Sequence, residues 1–163
     1  MFRQRYLVLC LASVVLLGFM AGCAPVEEGK GPVATNTGSG KIPITTSSEE
    51  ARKEFLTGRD KAERLLIQDS IQHFDKAVSL DPNFALAELS RANVAPTAKE
   101  FFEHLKKAVS LADKASNGER LLILANEAGA NGNQTSQKEH LEQLVAAYPN
   151  DERAHFTLGG YYF

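Results

Sequence analysis

Three histidines recur at one place along this chain. His73, His104 and His140 each stand immediately before an apolar residue: Phe74, Leu105 and Leu141. Imidazoles at a repeating position are the raw material of a metal ladder. Distance forbids that chemistry here. Equivalent places in adjacent helical hairpins lie two packed layers apart, about 16–20 Å at about 8–10 Å per layer. Ligands to a single ion sit about 2 Å from it. The three histidines therefore read as helix-surface residues. Other reactive constellations fail as well. The "GSG" at Gly38 to Gly40 has no Lys-Ser/Thr on a following helix start, so it is not a phosphate loop. There is no paired-cysteine zinc spacing, no metalloprotease-type histidine pair, and no serine in a nucleophile-elbow context. The expectation is a protein that does no catalysis and carries no metal or cofactor.

The residue with a chemistry of its own is Cys23. Arg3 and Arg5 open the chain with positive charge, and Tyr6 to Met20 is an uncharged, mainly apolar run. The run is shorter than the about 20 residues of a spanning helix and suits a signal peptide. It ends in "FMAGCAP". A small-small-Cys ending of this kind resembles the lipobox of bacterial lipoproteins, although Met20 is a less common residue at its place in that motif. The resemblance implies cleavage between Gly22 and Cys23 and lipidation of Cys23. Cys10, the other cysteine, lies inside the apolar run. After cleavage Cys23 has no partner in its own chain, and a lone thiol is a liability in an oxidising compartment. A thioether-linked lipid removes that liability, and two or more acyl chains anchor stably where one is marginal. The competing reading is an ordinary cysteine after an ordinary secretory signal. Ala24 follows the cysteine, where an Asp commonly signals inner-membrane retention in Gram-negative lipoproteins. The expected location is the cell envelope, lipid-anchored and extracytoplasmic, on the periplasmic face of the outer membrane if the organism has one.

The 163 residues suffice for one ordinary domain, and 44% of them are hydrophobic. Net charge is −2, from 18 basic and 20 acidic residues. A general nucleic-acid binder needs a basic face to displace counterions, so no nucleic-acid partner is expected. Lys106 and Lys107 are an adjacent basic pair, as are Arg52 and Lys53, and a solvated helix face accounts for Lys106 and Lys107.

These features need elements to position them. Residues 24–46 are rich in Gly, Pro, Thr and Ser without an amphipathic period. They read, with Cys23, as a lipidated flexible linker over 23–46, behind a signal peptide over 1–22. The linker's r.m.s. reach is roughly 25–30 Å. From Ser47 the pattern becomes helical. Four capping boxes are legible: Ser47 with Glu50, Thr97 with Glu100, Ser116 with Glu119, and Ser136 with Glu139. Pro82 and Pro149 end helical stretches. Seven helices are predicted, near 48–64, 67–80, 84–95, 98–113, 117–130, 136–147 and 151–163. A small residue marks the middle of each first helix: Gly58, Ala92, Ala125 and Gly159, in steps of 34, 33 and 34.

This period, with His155, Leu158, Gly159 and Tyr162 in the last unit and "SIQHFDKAVSLDP" (Ser70 to Pro82) as a second helix, resembles the tetratricopeptide repeat family. The resemblance covers 47–163, divided near 51–84, 85–117, 118–151 and a partial 152–163. The middle unit departs from it: the hairpin around Pro96 is short, and "KASN" at Lys114 to Asn117 replaces the closing Pro. The resemblance implies an all-α, right-handed superhelical solenoid of antiparallel helix hairpins, with a concave face lined by first helices. It implies protein or peptide binding in that groove, where first-helix asparagines bond a ligand's backbone. The residues falling on or near that line are Arg52, Phe55, Arg59, Leu89, Asn93, Leu122 and Asn126. The family's full carboxylate clamp needs further Lys or Arg on the third first-helix, where this chain has Glu119 and Leu122, so that clamp is not supported. The bland alternative is a partly polar face without a ligand.

The expected role is thus an envelope scaffold or assembly factor. The alternative is the N-terminal portion of a longer repeat protein whose remainder carries an enzymatic or sensor domain. The closing "HFTLGGYYF" matches the start of a further hairpin. Tyr161, Tyr162 and Phe163 are expected to be exposed there, as a partner or self-association surface, unless the helix folds back to shield them or the array continues.

Overall fold

A computed structural model describes residues 40–163. The expected signal peptide over 1–22, Cys23 and the expected linker as far as residue 39 lie outside the described residues. Among the described residues the fold is all-helical. The helices are α1 (Glu49–Glu63), α2 (Ile67–Leu80), α3 (Ala85–Asn93), α4 (Ala98–Leu111), α5 (Asn117–Ala130), α6 (Gln134–Ala147) and α7 (Glu152–Tyr161). A 3-10 turn over Ala112–Lys114 follows α4, just where the sequence lacks a closing proline. None of these helices is long and apolar enough to cross a membrane.

Helix starts are set by side-chain caps, which satisfy backbone N–H groups that have no partner within the helix. Ser116 and Glu119 form the complete reciprocal box at α5. Thr97 caps α4 by accepting from the Glu100 amide. Two expected boxes are displaced. Ser48, not Ser47, caps α1 and accepts from Ala51 at 3.1 Å. Ser136 lies inside α6, whose cap is Asn133, accepting from the Ser136 amide at 3.1 Å. The Ser47 amide is instead drawn to Asp81 at 3.2 Å, and Asn133 competes for the α6 start because Asn is as good a cap as Ser.

Consecutive helices pack against one another. α1 with α2, α3 with α4, and α5 with α6 form the closest pairs, and α2–α3, α4–α5 and α6–α7 join one pair to the next. The arrangement is repeat-like. Gly58 explains why α1 and α2 approach so closely: a Cβ there would lie 2.9 Å from the Phe74 ring. Phe74 packs on Phe55 (ring centroids 5.9 Å), and Phe55 on Phe84 (5.0 Å), so the core passes from the first pair into the second. Arg91 adds a polar link across that boundary, donating to Asp75 at 2.6 Å and Glu100 at 2.7 Å.

The chain ahead of α1 corrects the expected linker. Residues 40–47 are an extended strap laid against the helices. Ile42 is buried in the core, which apolar burial favours by about 2 kcal/mol for a side chain of its size. Residues 40–47 therefore pack with the helices, and the expected boundary at 46/47 falls inside the folded unit.

Candidate binding groove

Six of the seven residues placed on the ligand line come together. Phe55, Arg59, Leu89, Asn93, Leu122 and Asn126 line one open groove of about 350 Å³, contributed by α1, α3 and α5. The repeat period explains the convergence. Phe55, Leu89 and Leu122 are one residue type-position in successive first helices, and Arg59, Asn93 and Asn126 are another. Arg59 leans over the Phe55 ring at 5.9 Å and approaches Glu63 at 3.7 Å. Asn93 is exposed, whereas Asn126 donates to the Leu122 carbonyl of its own helix at 2.9 Å.

Arg52 does not join them. Its Nη2 donates to the Ile44 carbonyl at 2.7 Å, so it holds the strap. The extended strap offers unpaired carbonyls, and the guanidinium meets one of them in preference to the groove.

The seventh helix supplies residues that sequence reasoning missed. Arg153, Phe156, Thr157 and Gly160 also line the groove. The signal for Phe156 was present in the period: it continues the row Phe55, Leu89, Leu122 in a step of 34. Arg153 continues a second row, Arg52, Leu86, Glu119, in the same way.

That second row is where the strap lies. Arg153 Nη2 donates to the Ile42 carbonyl at 3.0 Å, Glu119 accepts from the Thr45 amide at 2.8 Å, and Arg52 takes the Ile44 carbonyl. Two further carboxylates complete the seat. Asp151 accepts from the Ile42 amide at 2.8 Å, and Asp81 accepts from the Thr46 hydroxyl at 2.6 Å. Gly118 leaves room for Ile42, since a Cβ there would stand 2.8 Å from Ile42 Cγ2. Burial alone would raise the Asp151 pKa. The hydrogen bonds from Arg153 and from the Ile42 amide more than offset it and lower the value to about 2. Burial likewise opposes, and the bonds from Thr46, Asn83 and Ser47 outweigh, in holding the Asp81 pKa below its ordinary value.

The histidines prove less superficial than expected. His73 Nδ1 meets Glu54 at 2.7 Å, and His104 Nδ1 meets Glu88 at 2.7 Å. Glu54 and Glu88 occupy the same place in their hairpins, four residues ahead of Gly58 and Ala92. The third hairpin has Leu121 there, and His140 Nδ1 is buried without a hydrogen-bond partner. Lys76 and then His73 lower the Glu54 pKa. Among the described residues no group of three or more His, Cys, Asp or Glu is placed to hold a metal ion.

At the end of α7, Tyr162 and Phe163 are exposed, and so is Phe156. Tyr161 departs from the expectation: it is half-buried and meets the Tyr162 ring edge-on at 5.2 Å. The Lys138 ammonium lies 6.0 Å from the Tyr162 ring and covers part of that surface.

No protein-family model matches this chain, and no curated protein matches it.

Proposed function

We propose that this protein is a tetratricopeptide-like helical array that binds an extended segment of another protein in the groove of its first helices, tethered to a membrane through a lipid on Cys23. The observation that carries the reading is the convergence of the repeat-equivalent rows Phe55/Leu89/Leu122/Phe156 and Arg59/Asn93/Asn126 on a single open groove. Apolar floor and amide rim together suit a peptide, whose side chains are buried while its backbone is bonded. The array would act as a scaffold in the cell envelope and perform no chemistry. The right-handed superhelical course of the hairpins belongs to the same reading.

Two experiments test it. A photoreactive residue at Ser90, in the groove, should crosslink a partner in living cells, and one at Lys99, an exposed position on α4 outside the groove, should not. Equal crosslinking from both positions removes the groove. Cys23→Ala should move the protein from the membrane fraction to the soluble one. A variant that still sediments with membranes after a salt wash refutes the anchor.

A further inference from the structure

The apolar row that starts at Phe55 is covered everywhere except on α7. Phe55 is 1% exposed, Leu89 3% and Leu122 7%, whereas Phe156, in the same place on α7, is 83% exposed. Phe55 owes its burial to the elements that follow it, since it packs on Phe74 of α2 and on Phe84 ahead of α3. The glycines differ in the same way. At Gly58 a Cβ would lie 2.9 Å from the Phe74 ring, but at Gly159, its equivalent on α7, and at Gly160 a Cβ would meet nothing within 4 Å. Glycine is the poorest helix former after proline, and these two gain nothing from any contact within their own copy. The other side of α7 is already used. Ala154 is buried, Leu158 and Tyr161 are half-buried, and at about 100° per residue they lie across the helix from Phe156, Gly159, Gly160 and Phe163. Tyr162 keeps right-handed helical dihedrals, so Phe163 continues the line of the helix.

The uncovered face is its own complement. Over 156–163 it reads Phe-x-x-Gly-Gly-x-x-Phe, the same in both directions. Two such helices laid antiparallel, with a two-fold axis between Gly159 and Gly160, set Phe156 of each copy on Phe163 of the other and bring the glycines to the crossing. Isologous interfaces require self-complementarity of this kind. We infer that α7 is a self-association surface through which two copies of this chain pair in that antiparallel register. Phe156, Tyr162 and Phe163 of both copies would bury about 900–1,500 Å², at about 150–250 Å² per ring. Stable interfaces begin near about 1,200 Å², so the dimer is a weak and reversible one. The inference goes beyond the groove reading and stands without it. Phe156 and Gly160 also line the groove, so pairing brings two grooves together at the two-fold axis.

The test is sedimentation velocity on the full chain carrying Cys23→Ala, so that no lipid drives association, at micromolar to submillimolar concentrations. A reversible monomer–dimer equilibrium is expected. Gly159→Gln should weaken it by about tenfold, because the new side chain parts the helices at the crossing. The same substitution should raise the melting temperature of the dilute monomer, where the position is open and Gln favours helix. A glycine needed only for the fold would lower the melting temperature instead. Phe156→Lys and Phe163→Glu should each dissociate the homodimer. Mixed together, these two variants should pair with each other more tightly than either pairs with itself, since one contact then joins opposite charges and the other keeps both phenylalanines. That rescue belongs to the antiparallel register, in which Phe156 meets Phe163. A chain that stays monomeric at submillimolar concentration overturns the inference, and so does a dimer indifferent to Gly159→Gln or Phe156→Lys. Mixed variants that do not pair overturn the antiparallel register. A native protein of larger intact mass that stays monomeric, its following segment covering α7, overturns the inference as well. None of these outcomes bears on the groove, which the crosslink at Ser90 tests separately.

Discussion

At the scale of single residues, the clearest departure from ordinary chemistry is Leu65. It ends α1 at φ 61°, in the left-handed region that L side chains disfavour. Its neighbours show why it is there. The Leu66 amide reaches back to the Lys61 carbonyl and the Leu65 amide to the Ala62 carbonyl, the two bonds of a Schellman cap. The same pair of bonds closes α5, from Asn133 to Ala128 and from Gly132 to Gly129. There the left-handed residue is Gly132, at φ 71°. Leu65 and Gly132 are therefore equivalent, separated by two repeats, and only one has the residue the geometry prefers. Leu65 is 81% exposed, so its side chain contributes little packing to offset the strain. Leu65→Gly should raise stability by about 0.5–1 kcal/mol, the left-handed cost less the extra entropy of an unfolded glycine. A thermal melt that is unchanged or lower would show that the Leu65 backbone is not strained. The helices predicted near 48–64 and 67–80 leave Leu65 in the connection between them, but a leucine does not mark a left-handed residue as the glycine at Gly132 does. The repeat period alone could have carried the turn from one to the other.

At the scale of elements, the helices were legible and the strap was not. Helix positions follow from local facts: an apolar period, a cap and a proline, all within one turn of the boundary they set. The strap's contacts are with residues far along the chain. Ile42 meets Asp151, and Thr45 meets Glu119. Nothing within "GKIPITT" distinguishes it from the Gly- and Thr-rich stretch before it except Ile42 and Ile44, and an apolar residue in a linker is ordinary. The groove was legible for the opposite reason, since its rows repeat and each member indicates the next. The strap's seat has a pH signature. Asp151 has a pKa of about 2 in the folded chain against an ordinary 3.8. A carboxylate with a depressed folded pKa stabilises the fold above its unfolded value and loses that contribution as pH falls through the folded one. The contribution of Asp151, about 2 kcal/mol at neutral pH by that linkage, should therefore be intact above about pH 4 and fade between about 4 and 2. Asp81 shifts in the same direction and fades in the same sense. Asp151→Asn should be less stable than the wild type at pH 7 and should approach it as pH falls toward 2. Denaturant melts at a series of pH values read the difference directly. A constant gap between the two proteins across that window would mean that the strap amide and Arg153 do not hold this carboxylate in its ionised form.

At the scale of the molecule, hairpins that touch only their neighbours give an array whose parts communicate one step at a time. Here a second route exists. The strap binds Asp81 at the end of the first hairpin, Glu119 at the start of the third, and Asp151 ahead of α7, so a single extended segment bridges elements that are not adjacent in the stack. Lys41 reaches Glu152 at 2.7 Å and extends the bridge into α7. Without it, α7 is held mainly by α6 and by the buried Ala154, because Phe156 stands exposed at the groove and Tyr162 and Phe163 are exposed at the helix end. Ile42 is the strap's apolar anchor, and truncating a buried isoleucine costs about 2–4 kcal/mol. If the loss is local, it should fall on the end of the array where Ile42 docks. Ile42→Ala should then speed amide exchange in α6 and α7 by a large factor, up to about 30-fold for 2 kcal/mol, while α1 and α2 keep their protection. Their own interface, Gly58 against Phe74 and Phe55 against Phe74, does not involve the strap. Exchange that rises equally in all helices would mean that the domain opens as one unit and that nearest-neighbour packing already couples its ends. Exchange confined to α6 and α7 would make the strap the element that ties the groove's far wall, Arg153 and Phe156, to the rest of the binding surface.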